Sequence, residues 1–173
     1  MTRARLPHST ALLPAVLAIV VLLAPREASA ADRCAGDLDA GRIVACLQHS
    51  RGMTIGARPA VPTANLAVRF DFGSAALTEA GMRSLEQLAE ALRSEALRSA
   101  RFELAGHTDA VGGDDYNLAL SQRRAEAARD FLLAHGVDPA GLVVKGYGWH
   151  QLYDPDHPEA AENRRVQVTR LPP

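Results

Sequence analysis

The chain of 173 residues has only two cysteines, no apolar run long enough to span a bilayer, and no marked excess of either charge. Each shortage excludes something. The longest apolar run, residues 11–24, has 14 residues, against roughly 20 for a transmembrane helix. Met1-Thr2-Arg3-Ala4-Arg5 precedes it and Pro25-Arg26-Glu27-Ala28-Ser29-Ala30 follows it. Residues 1–30 are therefore read as a secretory signal peptide cut after Ala30, with an uncleaved membrane anchor as the competing reading. No cysteine directly follows the small residues, because Cys34 comes after Asp32 and Arg33, so a lipid anchor is not expected. There is also no series of alternating ten-residue strands of the kind that builds an outer-membrane barrel. The mature protein, residues 31–173, is expected to be soluble.

The formal net charge is −1. Losing Arg3, Arg5, Arg26 and Glu27 takes the counts from 19 basic and 20 acidic side chains to 16 and 19, a charge of −3. That is no basic footprint, and nucleic acid is excluded as a partner. Both cysteines, Cys34 and Cys46, fall at the start of the mature chain. In an exported protein they read as one disulfide closing a small loop. Free or metal-bound thiols are the alternative, but no CxxC or histidine partner spacing accompanies them. His107, His135, His150 and His157 likewise lack a ligand spacing such as HxxxH. Neither a metal nor a cofactor is expected.

What is present is a run of alternating periodicities. Residues 31–57 form a small disulfide-tied head with an amphipathic stretch at Ile43, Val44 and Leu47, and residues 58–63 have the prolines and small residues of a linker. The head and linker together span 31–63, and the main domain spans 64–173. Leu66, Val68, Phe70 and Phe72 alternate with polar or small residues and predict a half-buried strand, leaving Arg69 for the open face. Thr78 can cap a helix striped with Met82, Leu85, Leu88, Ala89, Leu92 and Ala96. Phe102, Leu104 and Gly106 make a second strand, whose Glu103 also faces out. A long helix follows and stops at His135-Gly136. Residues 142–147 and 163–170 read as the third and fourth strands, with an acidic, proline-broken loop at Asp154-Pro155-Asp156-His157-Pro158-Glu159 between them. The order βαβαββ implies a small four-stranded sheet with both helices on one face.

The most informative stretch runs from Gly106 to Ala125. It ends a strand at His107-Thr108-Asp109, crosses a Gly/Asp loop containing Gly112 and Gly113, and enters the long helix. Asn117, Leu120, Ser121, Arg124, Ala127, Ala128, Phe131 and Leu132 share one face of that helix at its spacing. The face is apolar toward its C-terminal end and polar near the loop. Arg124 therefore points inward and Arg123 outward. An inward guanidinium needs a carboxylate, since a buried unpaired charge costs several kcal/mol. That partner is either a protein side chain, Asp109 foremost, or a ligand. An acid and a base held at one strand-to-helix junction suit a zwitterion.

The elements Phe70-Asp71-Phe72, Gly106-His107-Thr108-Asp109, Tyr116-Asn117 with Leu120-Ser121 and Arg124-Ala125, Gly146-Tyr147-Gly148, and Asn163-Arg164-Arg165-Val166 occur in order. In these the chain resembles the OmpA-like C-terminal domain family, as in OmpA, Pal and MotB, over about residues 65–171. The resemblance implies an α+β fold with a mixed sheet. It also implies non-covalent binding of peptidoglycan through the diaminopimelate of the stem peptide, in the periplasm of a Gram-negative bacterium, with outer-membrane association a further expectation. The family's contact residues fall on Asp109 and Arg124, with supporting roles for Asp71, Thr108 and Asn117. On that reading Asp109 takes the diaminopimelate ammonium and Arg124 its carboxylate. Unlike the named relatives, the sequence shows no barrel, lipid site or spanning helix. An envelope protein bound by the head is the expected substitute anchor.

Three other readings compete. His107, Asp109 and Ser121 invite a hydrolase triad, but no nucleophile elbow surrounds Ser121, and no enzyme is expected. Asp154, Asp156 and Glu159 could hold calcium weakly, but read better as a solvated turn. A protein-interaction module without peptidoglycan binding is the main alternative, and it predicts an internal Asp109–Arg124 ion pair.

Overall fold

The computed structural model describes residues 34–48, 61–71 and 73–173. The expected signal peptide, the residues around its cleavage site, residues 49–57 of the expected head and residues 58–60 of the expected linker lie outside the described residues. Among the described residues no helix is long and apolar enough to cross a membrane.

Among the described residues the strands and α-helices follow in order: β1 (Ala35–Gly36), α1 (Ala40–Gln48), β2 (Thr63–Leu66), α2 (Glu79–Arg93), β3 (Phe102–Gly106), α3 (Asp114–Ala134), β4 (Leu142–Gly146) and β5 (Val166–Arg170). The fold is α+β, with one mixed sheet ordered β1-β2-β5-β3-β4. β5 is central, antiparallel to β2 on one side and to β3 on the other, while β3–β4 and β1–β2 are parallel pairs. Alternation sets the two faces. Phe102, Leu104, Val166 and Val168 are buried with the apolar stripes of α2 and α3, whereas Glu103, Gln167 and Thr169 are only partly covered.

The sheet has five strands where four were expected, because the head adds one. Cys34 and Cys46 are disulfide-bonded. The loop they close lays Ala35–Gly36 along β2 and packs α1 against α2. Leu38, Ile43, Cys46 and Leu47 are buried in the same core as Leu85, Leu88 and Val168. The stripe Ile43, Val44, Leu47 gave no hint of where it would dock, since an amphipathic stripe specifies burial and not a partner.

The first strand of the main domain lies earlier than the alternation predicts. The ladder holds Thr63–Leu66, so Thr63 is sheet rather than linker. Past Leu66 the chain leaves the sheet: Ala67 donates to the Gly36 carbonyl, and the Arg69 carbonyl accepts from Thr78. Arg69 is therefore not on the open sheet face. Val68 is buried without being in a strand, and Phe70 pairs with Leu77 in an isolated bridge. Alternating burial continued beyond the ladder and imitated a strand. Gly81 permits this path, since a Cβ there would lie 2.2 Å from the Arg69 carbonyl oxygen.

Thr78 caps α2 by accepting from the Gly81 N–H, as its sequence position predicted. The helix stops at Arg93, so Ala96 is exposed and Leu97 fills the core in its place. α3 starts three residues before Asn117, at Asp114, with Asp114 and Asp115 in its first turn. It ends before Gly136, whose φ of 82° is the left-handed conformation expected there. β4 ends at Gly146, one residue short of Tyr147, and β5 begins at Val166 because residues 163–165 serve the neighbouring loop.

Candidate ligand site at the β3–α3 junction

α3 lies very close to β3 and β4 at its N-terminal end. A Cβ on Gly106 would stand 2.1 Å from the Ser121 carbonyl oxygen, and one on Gly146 would stand 2.4 Å from the Gln122 nitrogen. The contact is sealed by hydrogen bonds: the Ser121 hydroxyl donates to Leu118 O at 2.8 Å and accepts from Gly148 N at 2.8 Å. Gln122 Oε1 accepts from Gly146 N at 2.7 Å. The Ser121 hydroxyl is thus occupied by two backbone groups and is not bonded to His107.

This packing turns one face of α3 inward. Asn117, Leu120, Ser121 and Arg124 are buried and Arg123 is exposed, as the helical spacing indicated. The guanidinium of Arg124 lies 5.1 Å over the Phe70 ring, and its Nε donates to Ser74 O at 3.0 Å. Among the described residues no carboxylate lies within 4.0 Å of it. Burial pushes its pKa down, the nearby charge of Arg164 adds to that, and Asp109 and Tyr116 act in the opposite sense. The charge is thus held in place without a full counter-charge.

Asp109 is engaged elsewhere. Its Oδ2 accepts from Arg164 Nη1 at 2.7 Å and its Oδ1 from Val111 N at 3.2 Å. The internal pair Asp109–Arg124 is therefore not formed; Arg164 takes the place of Arg124. Arg124 and Asp109 remain close enough to influence each other electrostatically.

The supporting residues fall into two groups. Thr108 and Asn117 are buried beside the pair. Thr108 N donates to Gly148 O, while its Oγ1 has no hydrogen-bond partner among the described residues. Asn117 Nδ2 donates to Val111 O at 3.0 Å and so shapes the Asp109 loop. In that loop Gly112 has a φ of 99°, a conformation that suits glycine. Asp71 has an exposed side chain, and its backbone closes the turn that carries Ser74: Asp71 N donates to Ala76 O and Ser74 N to Asp71 O. Tyr116 Oη reaches the same turn, donating to Gly73 O at 3.3 Å. Phe72 lies outside the described residues.

The far wall is organised by Asn163, which is fully buried. Its Oδ1 accepts from Tyr153 N and Asp154 N, and its Nδ2 donates to the carbonyls of Asp154, His157 and Pro158. The Pro158 carbonyl in turn accepts from Ala110 N, beside Asp109. Asn163→Ala should cost about 3 kcal/mol of stability, since five hydrogen bonds to one buried amide are lost; urea unfolding measures it. In the acidic loop, Asp154 accepts from His157 Nδ1 at 2.8 Å and from two backbone N–H groups, and the His157 hydrogen bond is the main reason its pKa is lowered. Arg165 is buried and bonded to Asn65, Gln151 and Gln167, and burial pushes its pKa down to about 10.

A family model described as the OmpA family matches residues 69–165, more than half of the chain. The chain belongs to the OmpA family. It is 37% identical over 103 residues to the peptidoglycan-associated lipoprotein of Pseudomonas aeruginosa, covering 58% of this chain and 60% of that protein. It is 34% identical over 113 residues to the probable lipoprotein YiaD of Escherichia coli, covering 61% of this chain and 48% of that one. The chain thus spans at most about 60% of the length of these two OmpA-family relatives. Among solved structures, the peptidoglycan-associated lipoprotein of Burkholderia pseudomallei matches with a TM-score of 0.50 and 32% identity, over 60% of this chain and 86% of that one. The OmpA-like domain of FopA1 from Francisella tularensis matches with a TM-score of 0.54 at 20% identity, over 62% and 70%, and shares the fold. The His-Thr-Asp and Arg-Arg-Ala elements both fall inside the matched region.

Proposed function

We propose that the protein binds peptidoglycan non-covalently in the Gram-negative envelope, through the diaminopimelate of the stem peptide. The observation that carries this reading is Arg124, a buried cation that meets a backbone carbonyl and a ring face and has no carboxylate within 4.0 Å among the described residues. A ligand carboxylate supplies the missing charge in the two-point geometry a guanidinium favours. Asp109, at the same junction, takes the ammonium on the same ligand carbon. Arg164 neutralises Asp109 until the ammonium arrives and is then free to turn to the ligand carboxylate. The likeness to two peptidoglycan-associated lipoproteins supports the same class of ligand.

The expected export signal supports a periplasmic location, and an envelope protein held by the head would provide its anchor. Single-site affinity is modest, and the repeated display of stem peptides on the sacculus strengthens attachment. Co-sedimentation of residues 31–173 with purified sacculi tests the reading. Wild type pellets with the sacculi, whereas Asp109→Ala and Arg124→Ala stay in solution with unchanged melting cooperativity. Wild type left in the supernatant would favour the alternative, an interaction module without peptidoglycan binding.

A further inference from the structure

We propose that the groove beside Arg124 holds a second carboxylate of the same stem peptide, with Arg69 supplying the charge and His107 a hydrogen bond. This rests on the diaminopimelate reading above. The groove has a volume of about 950 Å³ and is lined by Arg124, Phe70 and His107, by the first turn of α2, and by Gly36 and Asp37 of the head. Sites that enclose a whole small-molecule ligand measure about 300–1,000 Å³. One ammonium–carboxylate terminus therefore leaves most of this space free for its neighbours in the peptide.

The lining is cationic. Five arginines face three carboxylates, Asp37, Glu79 and Glu162. Of the five, Arg83 pairs with Glu79, Arg164 pairs with Asp109 and on ligand binding turns to the first carboxylate, and Arg165 is held by neutral partners on the sheet. Arg124 serves the first carboxylate. That leaves Arg69, whose exposed side chain has no carboxylate within 4.0 Å among the described residues. Its root is fixed, because its carbonyl accepts from both the N–H and the hydroxyl of Thr78 and lies against Gly81.

The floor supplies a second, independent observation. His107 is 1% exposed, and neither ring nitrogen has a hydrogen-bond partner among the described residues; the adjoining Thr108 Oγ1 has none either. Buried polar atoms are nearly always bonded. An imidazole kept neutral offers one donor and one acceptor, and His107 lines the same groove as Arg69, Arg124 and Arg165. A carboxylate entering from the side of Arg69 meets the donor. Two groups of a stem peptide have this chemistry: the α-carboxylate of the γ-linked glutamate before diaminopimelate, and the terminal carboxylate after it.

The test is calorimetric titration of the protein with the tetrapeptide L-Ala-γ-D-Glu-meso-diaminopimelate-D-Ala in three forms: the free acid, the glutamate α-amide and the C-terminal amide. One amide should bind about tenfold more weakly than the free acid, as loss of a charge-assisted hydrogen bond requires. Which amide is weakened identifies which carboxylate occupies the groove. Arg69→Gln, which leaves every bond to its backbone in place, should bring the acid and amide affinities together while binding persists. His107→Phe, checked for fold by melting, should do the same in part. Equal affinity of wild type for all three forms, or discrimination unchanged in Arg69→Gln, overturns the second subsite and leaves the diaminopimelate reading standing. No binding of any form removes both.

Discussion

Arg124→Met leaves the fold at least as stable as wild type and removes sacculus binding. The two effects have one cause. The guanidinium is buried with a carbonyl and a ring as its contacts and no counter-charge within 4.0 Å among the described residues, so the folded chain bears a desolvation cost without full compensation. Replacing such a charge with an apolar side chain of similar length is expected to stabilise by about 1 kcal/mol. Losing one partner of a desolvated charge pair with the ligand costs about 2–5 kcal/mol of binding, at least thirtyfold in affinity. A raised or unchanged melting temperature beside lost sedimentation marks Arg124 as a residue kept for a ligand. A lower melting temperature would mark it as structural.

Acid should unfold the protein early, and His107 should be a principal cause. Burial, aided by the positive charge of Arg165, pushes its pKa from 6.5 down to about 3. In the unfolded chain the imidazole takes up its proton near pH 6.5, whereas in the folded chain it does so only near pH 3. Between those values the unfolded state binds the extra proton, so stability falls as the pH falls, by about 1.4 kcal/mol per unit from this group. Above that window the contribution is fully present. His107→Phe keeps a ring against Tyr147, where the two rings now stack at 5.5 Å, and removes the titration. Urea unfolding at pH 7, 6 and 5 should give a shallower pH dependence for the variant. Equal slopes would show that His107 titrates normally in the folded chain.

The inward face of α3 was legible because periodicity fixes direction: once the helix is granted, Arg124 points in and Arg123 out. The Thr78 cap, the Gly136 stop and the Cys34–Cys46 bond follow from equally local chemistry. The partners were not legible. Ser74 and Arg164 reach the site from 50 and 55 residues away in the chain, and no spacing rule links them to Arg124 or Asp109. The strand expected at residues 66–72 failed for a related reason. Alternation records which side chains are buried, and Val68 is buried in the core it shares with α2 and the head after the chain has left its ladder. Docking of the head was invisible because an amphipathic helix does not name its partner. Asn163 stands just before a strand and Gln122 within α3, and an amide at either place becomes specific only when the backbone it binds is known.

The central claim is that Arg124 and Asp109 together read a carbon bearing both an ammonium and a carboxylate. A titration with two stem peptides, identical except for meso-diaminopimelate or lysine at the third position, tests it most directly, since lysine keeps the ammonium and lacks the carboxylate. The diaminopimelate peptide should bind at least thirtyfold more tightly, and Arg124→Met should bind both with the same weak affinity. Equal binding of the two peptides by wild type would contradict the claim.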